Sequence, residues 1–180
     1  MFCWKSVNIT REFGNTRLKI VSITSAILFF LIYYLFLSSF IDVTNVNQYG
    51  VLSFIIGLFL VPLIHKLLHC VPIWLCGKKA KLTIKKRKFM PILFCFIPNT
   101  ISKRLCITAS LFPLIMITTI TTIGSIVSPE HLPYFVIYSA INFGLSIYDI
   151  IYVNYLIRAP KSSFIEDHYD EFHILLNRAS

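Results

Sequence analysis

The run IVSITSAILFFLIYYLFLSSFI, from Ile20 to Ile41, is 22 residues long and carries no charged side chain. Wound as a helix at about 1.5 Å per residue it is about 33 Å long, enough to cross a hydrocarbon core of about 30 Å. Three further stretches repeat its length and character: Gly50 to Cys76, Leu105 to Val127 and Pro133 to Ile157. The fold class this predicts is all-α membrane, with about four transmembrane helices. The first run is longer than the apolar core of a signal peptide and no small-residue cleavage site follows it, so it is expected to stay as a signal anchor.

Composition points the same way. Of the 180 residues, 56% are hydrophobic and 14% charged, with a mean hydropathy of +0.73; a soluble domain has about a quarter of its residues charged. The net charge of +9 raises nucleic acid as a partner, but its distribution argues against that. Nine of the 17 Lys and Arg residues lie between Lys78 and Arg104 with no acid among them, and Lys5, Arg11, Arg17 and Lys19 precede the first span. The connections Asp42 to Tyr49 and Ser128 to Leu132 contain none. By the positive-inside rule the N-terminal segment 1–19, the basic loop and the tail 158–180 are cytoplasmic, which predicts a multi-pass protein of the cell membrane. Its expected partners are membrane lipids, not nucleic acid; the basic loop is explained by topology, with anionic headgroups as a further contact.

Within that loop, Lys81 to Lys85 alternates polar and apolar residues, and Pro91 to Pro98 is an apolar run too short to span. Together they predict a short cytoplasmic β-hairpin-like unit. The tail holds four of the eight acids (Glu166, Asp167, Asp170, Glu171) and is expected to be solvated, with His168 and His173 in it. Cys3, Cys70, Cys76, Cys95 and Cys106 are expected as thiols, most of them small buried hydrophobes. Trp4, Tyr49, Trp74, Tyr134 and Tyr155 fall near span ends, where an interfacial belt accounts for them. Pro113 is expected to kink the third span and Pro62 to open the second, while Thr118, Thr119, Thr121 and Thr122 are expected to bond back to their own helix.

An ionisable side chain at the centre of a span costs about 2.5 to 3.5 kcal/mol on insertion scales. The spans hold four: His65, Lys66 and His69 in the second, Asp149 in the fourth. On this topology both spans run inward, and counting residues from their outer ends puts all three candidate ligands about 22 to 29 Å deep, in one layer. His65 and His69, four apart, share a helix face. Two imidazoles and a carboxylate form a three-ligand set suited to Zn²⁺ with an open fourth position. Asn142, Ser146 and Asp149 make a polar stripe that belongs toward the bundle interior. The bland alternative is that Asp149 pairs with Lys66 and no metal is bound.

These residues also carry a resemblance. His65-Lys-Leu-Leu-His69, the Gly77-Lys-Lys loop, Pro98 to Arg104, Pro113, Asn142 to Asp149, Ala159-Pro160-Lys161 and Glu166-Asp167-His168 resemble, in order, the features of small bacterial zincin peptidases of the membrane, relatives of site-2 proteases. The likeness covers roughly residues 50 to 175. It implies zinc on His65 and His69, with Asp149 as third ligand. The family motif is His-Glu-x-x-His, whose Glu is the general base. Here that catalytic position is Lys66, an ammonium that repels Zn²⁺ and cannot take a proton unless its pKa falls by several units. The resemblance thus implies a zincin scaffold with impaired hydrolysis, acting as a binding or regulatory protein on a membrane protein or peptide. An active zinc metallopeptidase using an unconventional base such as neutral Lys66 is one alternative. A metal-free structural protein with a Lys66–Asp149 pair is the other.

Overall fold

In the computed structural model, residues 2–42, 51–86, 91–97, 100–168 and 171–176 are described. Tyr49, Gly50, Arg87, Lys88, Pro98 and Asp170, all invoked above, lie outside them, as do the side chains of Cys95, Asp167 and His168. The chain begins with strand β1 (Phe2–Val7) and a short helix α1 (Ile9–Phe13). Asn8 caps α1 by accepting from the Arg11 amide at 2.9 Å. Gly14, at φ +79°, then separates it from α2 (Asn15–Ser38), a conformation open to glycine and strained for other residues.

Helix α3 (Val51–Leu75) contains Pro62 and Pro72 and ends in a Schellman turn. Its Gly77 sits at φ +70°, the Gly77 amide donates to Trp74 O at 2.9 Å, and the Lys78 amide donates to Ile73 O at 3.1 Å. The basic loop forms β2 (Lys81–Lys86) and β3 (Pro91–Phe96), antiparallel with Lys81 opposite Phe96, which is the hairpin the alternation predicted. After β4 (Ile101–Ser102), helix α4 (Lys103–Val127) is capped by Ser102 and contains Pro113. A 3-10 turn at Pro129–His131 leads into α5 (Leu132–Arg158). The tail forms β5 (Phe164–His168) and β6 (Glu171–Leu176).

Four of these helices are long and apolar enough to cross a membrane. α2 starts at Asn15, five residues before the apolar run, because a helix can carry its basic flank, Arg17 and Lys19, out of the apolar layer. α5 is the centre of the bundle, packing on α2 and α4 and less extensively on α3. The α2 contact is close: Ser22 Oγ donates to Gly144 O at 2.8 Å, and a Cβ at position 144 would lie 2.9 Å from Ala26 Cβ. Phe29 stacks on Phe143 at 4.4 Å, and Tyr33 bonds to Thr122 of α4.

Polarity runs inside out. Ile20, Ile23, Ile27, Leu31 and Leu35 are each more than half exposed, whereas His65, Ser125, Ser139, Asn142, Ser146 and Asp149 are buried. An apolar face of that extent needs a lipid solvent. Thr121 and Thr122 donate to Ile117 O and Thr118 O of their own helix, as expected, whereas the buried Thr118 hydroxyl makes no such bond. Cys70 and Cys106 are buried but Cys3 and Cys76 are exposed, so the described thiols are not mostly buried.

The tail departs from expectation. It is not a solvated segment: β1, β6, β5 and β4 form one antiparallel sheet in that order, with Val7 opposite Phe172 and Ile165 opposite Ile174. Val7, Ile101, Ile165, Phe172 and Ile174 pack with Cys106 and Leu156 into a core beneath the ends of α4 and α5. Residues 172 and 174 face in while His173 between them is half-buried, the period-two pattern of a strand with one covered face. Lys103 ties the sheet end to the bundle, its Nζ donating to Ile157 O at 3.0 Å and Ala159 O at 2.6 Å, the last carbonyls of α5.

Candidate metal centre

The helical spacing of four sets His65 and His69 on the same side of α3, with ring centroids 4.9 Å apart and planes at 87°. That side meets Asp149 of α5. His65 Nε2 lies 3.1 Å from Asp149 Oδ2, and His69 Nε2 lies 3.5 Å from Asp149 Oδ1. One donor atom from each of the three residues falls within 4.8 Å of the others. The expected common layer is therefore present, with His65 wholly buried and Asp149 8% exposed.

The other ring nitrogens fix the chemistry. His69 Nδ1 is 2.9 Å from the backbone oxygen of Ala109, which can only accept, so Nδ1 carries the proton. His65 Nδ1 is 2.8 Å from Asn142 Oδ1, while the Asn142 amide nitrogen faces Pro113 O and Leu114 O at 3.4 and 3.5 Å, so His65 Nδ1 donates as well. With both Nδ1 atoms donating, a ring without a second proton directs an Nε2 lone pair at the carboxylate. Two lone pairs and an anion facing one another out of water repel unless a cation lies between them, either protons on the rings or a metal ion. Two imidazoles held by carbonyl acceptors, plus one carboxylate, are a donor set that fits Zn²⁺.

The Lys66–Asp149 pair of the metal-free alternative is not formed: among the described residues the side chains within 4 Å of the Asp149 carboxylate as charge partners are His65 and His69. Lys66 is about 100° around the helix from His65, so when His65 faces Asp149 the lysine turns aside. It lines a cavity of about 140 Å³ next to the cluster, which also touches His69, Ser110, Tyr148, Asp149 and Tyr152. Val7, Ile101, Glu171 and Phe172 of the sheet line one side of it.

Two participants were not anticipated. Asn142 stands in the expected polar stripe, and Ser146 donates to its backbone oxygen at 2.8 Å, but its service to His65 depends on a side-chain rotamer. Glu171 reaches the cavity wall from a strand paired to the other end of the chain. Only the alternation Phe172, His173, Ile174 hinted that the tail is a strand.

Fold and site together define a multi-pass membrane protein with a two-histidine, one-carboxylate cluster between its helices. The chain belongs to the family described as "Putative zincin peptidase", whose match spans residues 58–164. That span takes in His65, Lys66, His69, Ala109, Asn142 and Asp149 and stops short of Glu171. No curated protein and no solved structure matches the chain.

Proposed function

We propose that this protein holds Zn²⁺ on His65, His69 and Asp149 within the membrane and uses the adjoining cavity to bind a peptide segment of a membrane partner, with little or no hydrolysis of its own. The observation that carries this reading is the convergence of two Nε2 atoms on one carboxylate, each ring held by an acceptor behind it. Zinc in that position supplies Lewis-acid polarisation of a carbonyl oxygen. The chain supplies the orientation of the ligands, an apolar wall from Tyr148, Tyr152 and Phe172, and the Lys66 ammonium. An ammonium donates three hydrogen bonds and accepts none, so Lys66 suits holding a carboxylate or carbonyl of a bound peptide and does not suit removing a proton. The thirteen Lys and Arg residues at the N-terminus and in the 77–104 loop support a cytoplasmic orientation of the sheet end.

A second reading, hydrolysis with an unconventional base, draws on Glu171, a carboxylate on the same cavity wall. Its oxygens lie 3.1 Å from Ser6 Oγ and 3.5 Å from His173 Nε2, groups that hold it in the sheet.

Metal analysis of the detergent-purified full chain tests the first reading. Close to one zinc per chain in wild type and near none in His65→Ala is the expected result; wild type without zinc after chelator-free purification overturns it. Chelator-sensitive cleavage of a membrane peptide by wild type, abolished in Glu171→Gln, would move the assignment to the second reading.

A further inference from the structure

We infer that Pro113 is a positioning residue for the metal site: by lacking an N–H it releases the carbonyl of Ala109, which then orients His69. In a regular helix the oxygen of residue 109 accepts from the amide of residue 113. Proline at 113 removes that donor and its ring pushes the carbonyl aside. α4 nonetheless runs on to Val127, so the oxygen of residue 109 loses its partner at position 113 inside an otherwise continuous helix. Ala109 and Pro113 are both buried. His69 Nδ1, coming from α3, supplies it at 2.9 Å.

The same turn reaches the second imidazole. Asn142 donates toward Pro113 O at 3.4 Å and Leu114 O at 3.5 Å, which turns its own oxygen to His65 Nδ1 at 2.8 Å. One turn of α4 around Pro113 thus sets the protonated nitrogen of both rings, directly for His69 and through Asn142 for His65. A helix without the proline would reclaim the Ala109 carbonyl and leave His69 Nδ1 with no acceptor. The ring would then be free to protonate at Nε2, the atom a metal needs bare.

This inference rests on the zinc reading above, and the experiment separates the two. Zn²⁺ affinity of the full chain in nanodiscs is measured by competition with a chromophoric chelator for wild type, for Pro113→Ala, and for a chain with an ester link at position 113, which has no ring and no N–H. Loss of a group that orients a metal ligand lowers affinity by about 10- to 100-fold. Pro113→Ala is expected to show that loss and the ester to recover wild-type affinity; equal affinity for wild type and Pro113→Ala, or an ester as weak as the alanine variant, overturns the inference. Nitrogen-15 NMR of the histidines in metal-free wild type at alkaline pH gives an answer that needs no variant to fold. His69 is expected as the Nδ1–H tautomer, and finding its proton on Nε2 overturns the inference. Wild type that binds no zinc but shows the Nδ1–H tautomer overturns the zinc reading and leaves the role of the proline standing.

Discussion

His65 Nε2 lies 3.1 Å from Asp149 Oδ2 across 84 positions of chain, inside a bundle whose outer surface is apolar. The pair survives there because each partner is held from behind, the imidazole by Asn142 and the carboxylate by a second histidine. A buried charge cluster with one member removed leaves the others uncompensated. The site should therefore respond to substitution as a unit.

Asp149→Asn removes the anion and leaves the two imidazoles in place. Added Zn²⁺ at 100 times its dissociation constant stabilises a binding protein by about 2.7 kcal/mol. Wild type is expected to gain thermal stability on that scale, and Asp149→Asn to gain none, by detergent-phase thermal unfolding with and without zinc.

Asn142→Leu keeps the volume but deprives His65 Nδ1 of its acceptor. A buried donor left unmade costs about 1–3 kcal/mol. Apo stability should fall by that amount and zinc affinity by about 10- to 100-fold, the range for second-layer partners of metal ligands. Chemical unfolding and chelator competition on the same preparation check both.

Lys66→Glu replaces the ammonium beside the cluster with the general base of the zincin motif. Zinc affinity should rise as a like charge is removed, and chelator-sensitive cleavage of a quenched membrane peptide should appear in the variant and not in wild type. A variant that binds zinc more weakly than wild type contradicts the electrostatic argument.

Gly144→Val drives a side chain into Ala26 and the Ser22 carbonyl, 2.9 and 3.0 Å from the added Cβ. Overpacking of this kind costs about 1–3 kcal/mol. The expected outcome is a lowered unfolding temperature with unchanged zinc stoichiometry, because α2 carries none of His65, His69 and Asp149.

Phe172→Ala tests the sheet as the wall of the cavity. The ring is 4% exposed and lies edge-on to Tyr152 at 4.4 Å, and emptying such a site costs about 3–5 kcal/mol. Zinc should be stripped faster by a water-soluble chelator than in wild type, measured as a release rate.

The sequence announced the bundle because span length is set by one physical constant, the thickness of the bilayer. The runs at Leu105 and Pro133 met α4 and α5 within two residues. The cluster was legible for the same reason: helical rise converts position into depth, so His65, His69 and Asp149 could be assigned to one layer before any contact was known. The sheet was not legible. Val7 and Phe172 face each other, yet nothing local to either names the other, and the acids around Phe172 disguise a strand as a solvated tail. The service of Asn142 to His65 was equally hidden, since it turns on which end of an amide faces a ring. Pro113 was visible in the third span, but which side chain would meet the Ala109 oxygen depended on how α3 packs.

Strands β1 and β6 meet with Ser6 hydrogen-bonded to Glu171, 165 positions apart. At a synthesis rate of about 5–20 residues per second, the first of these strands waits about 8–33 s for the second to leave the ribosome. Throughout that interval four hydrophobic segments are being inserted while the floor beneath the histidines is missing. The sheet that lines one side of the cavity therefore cannot form until the four long helices between its strands have been made.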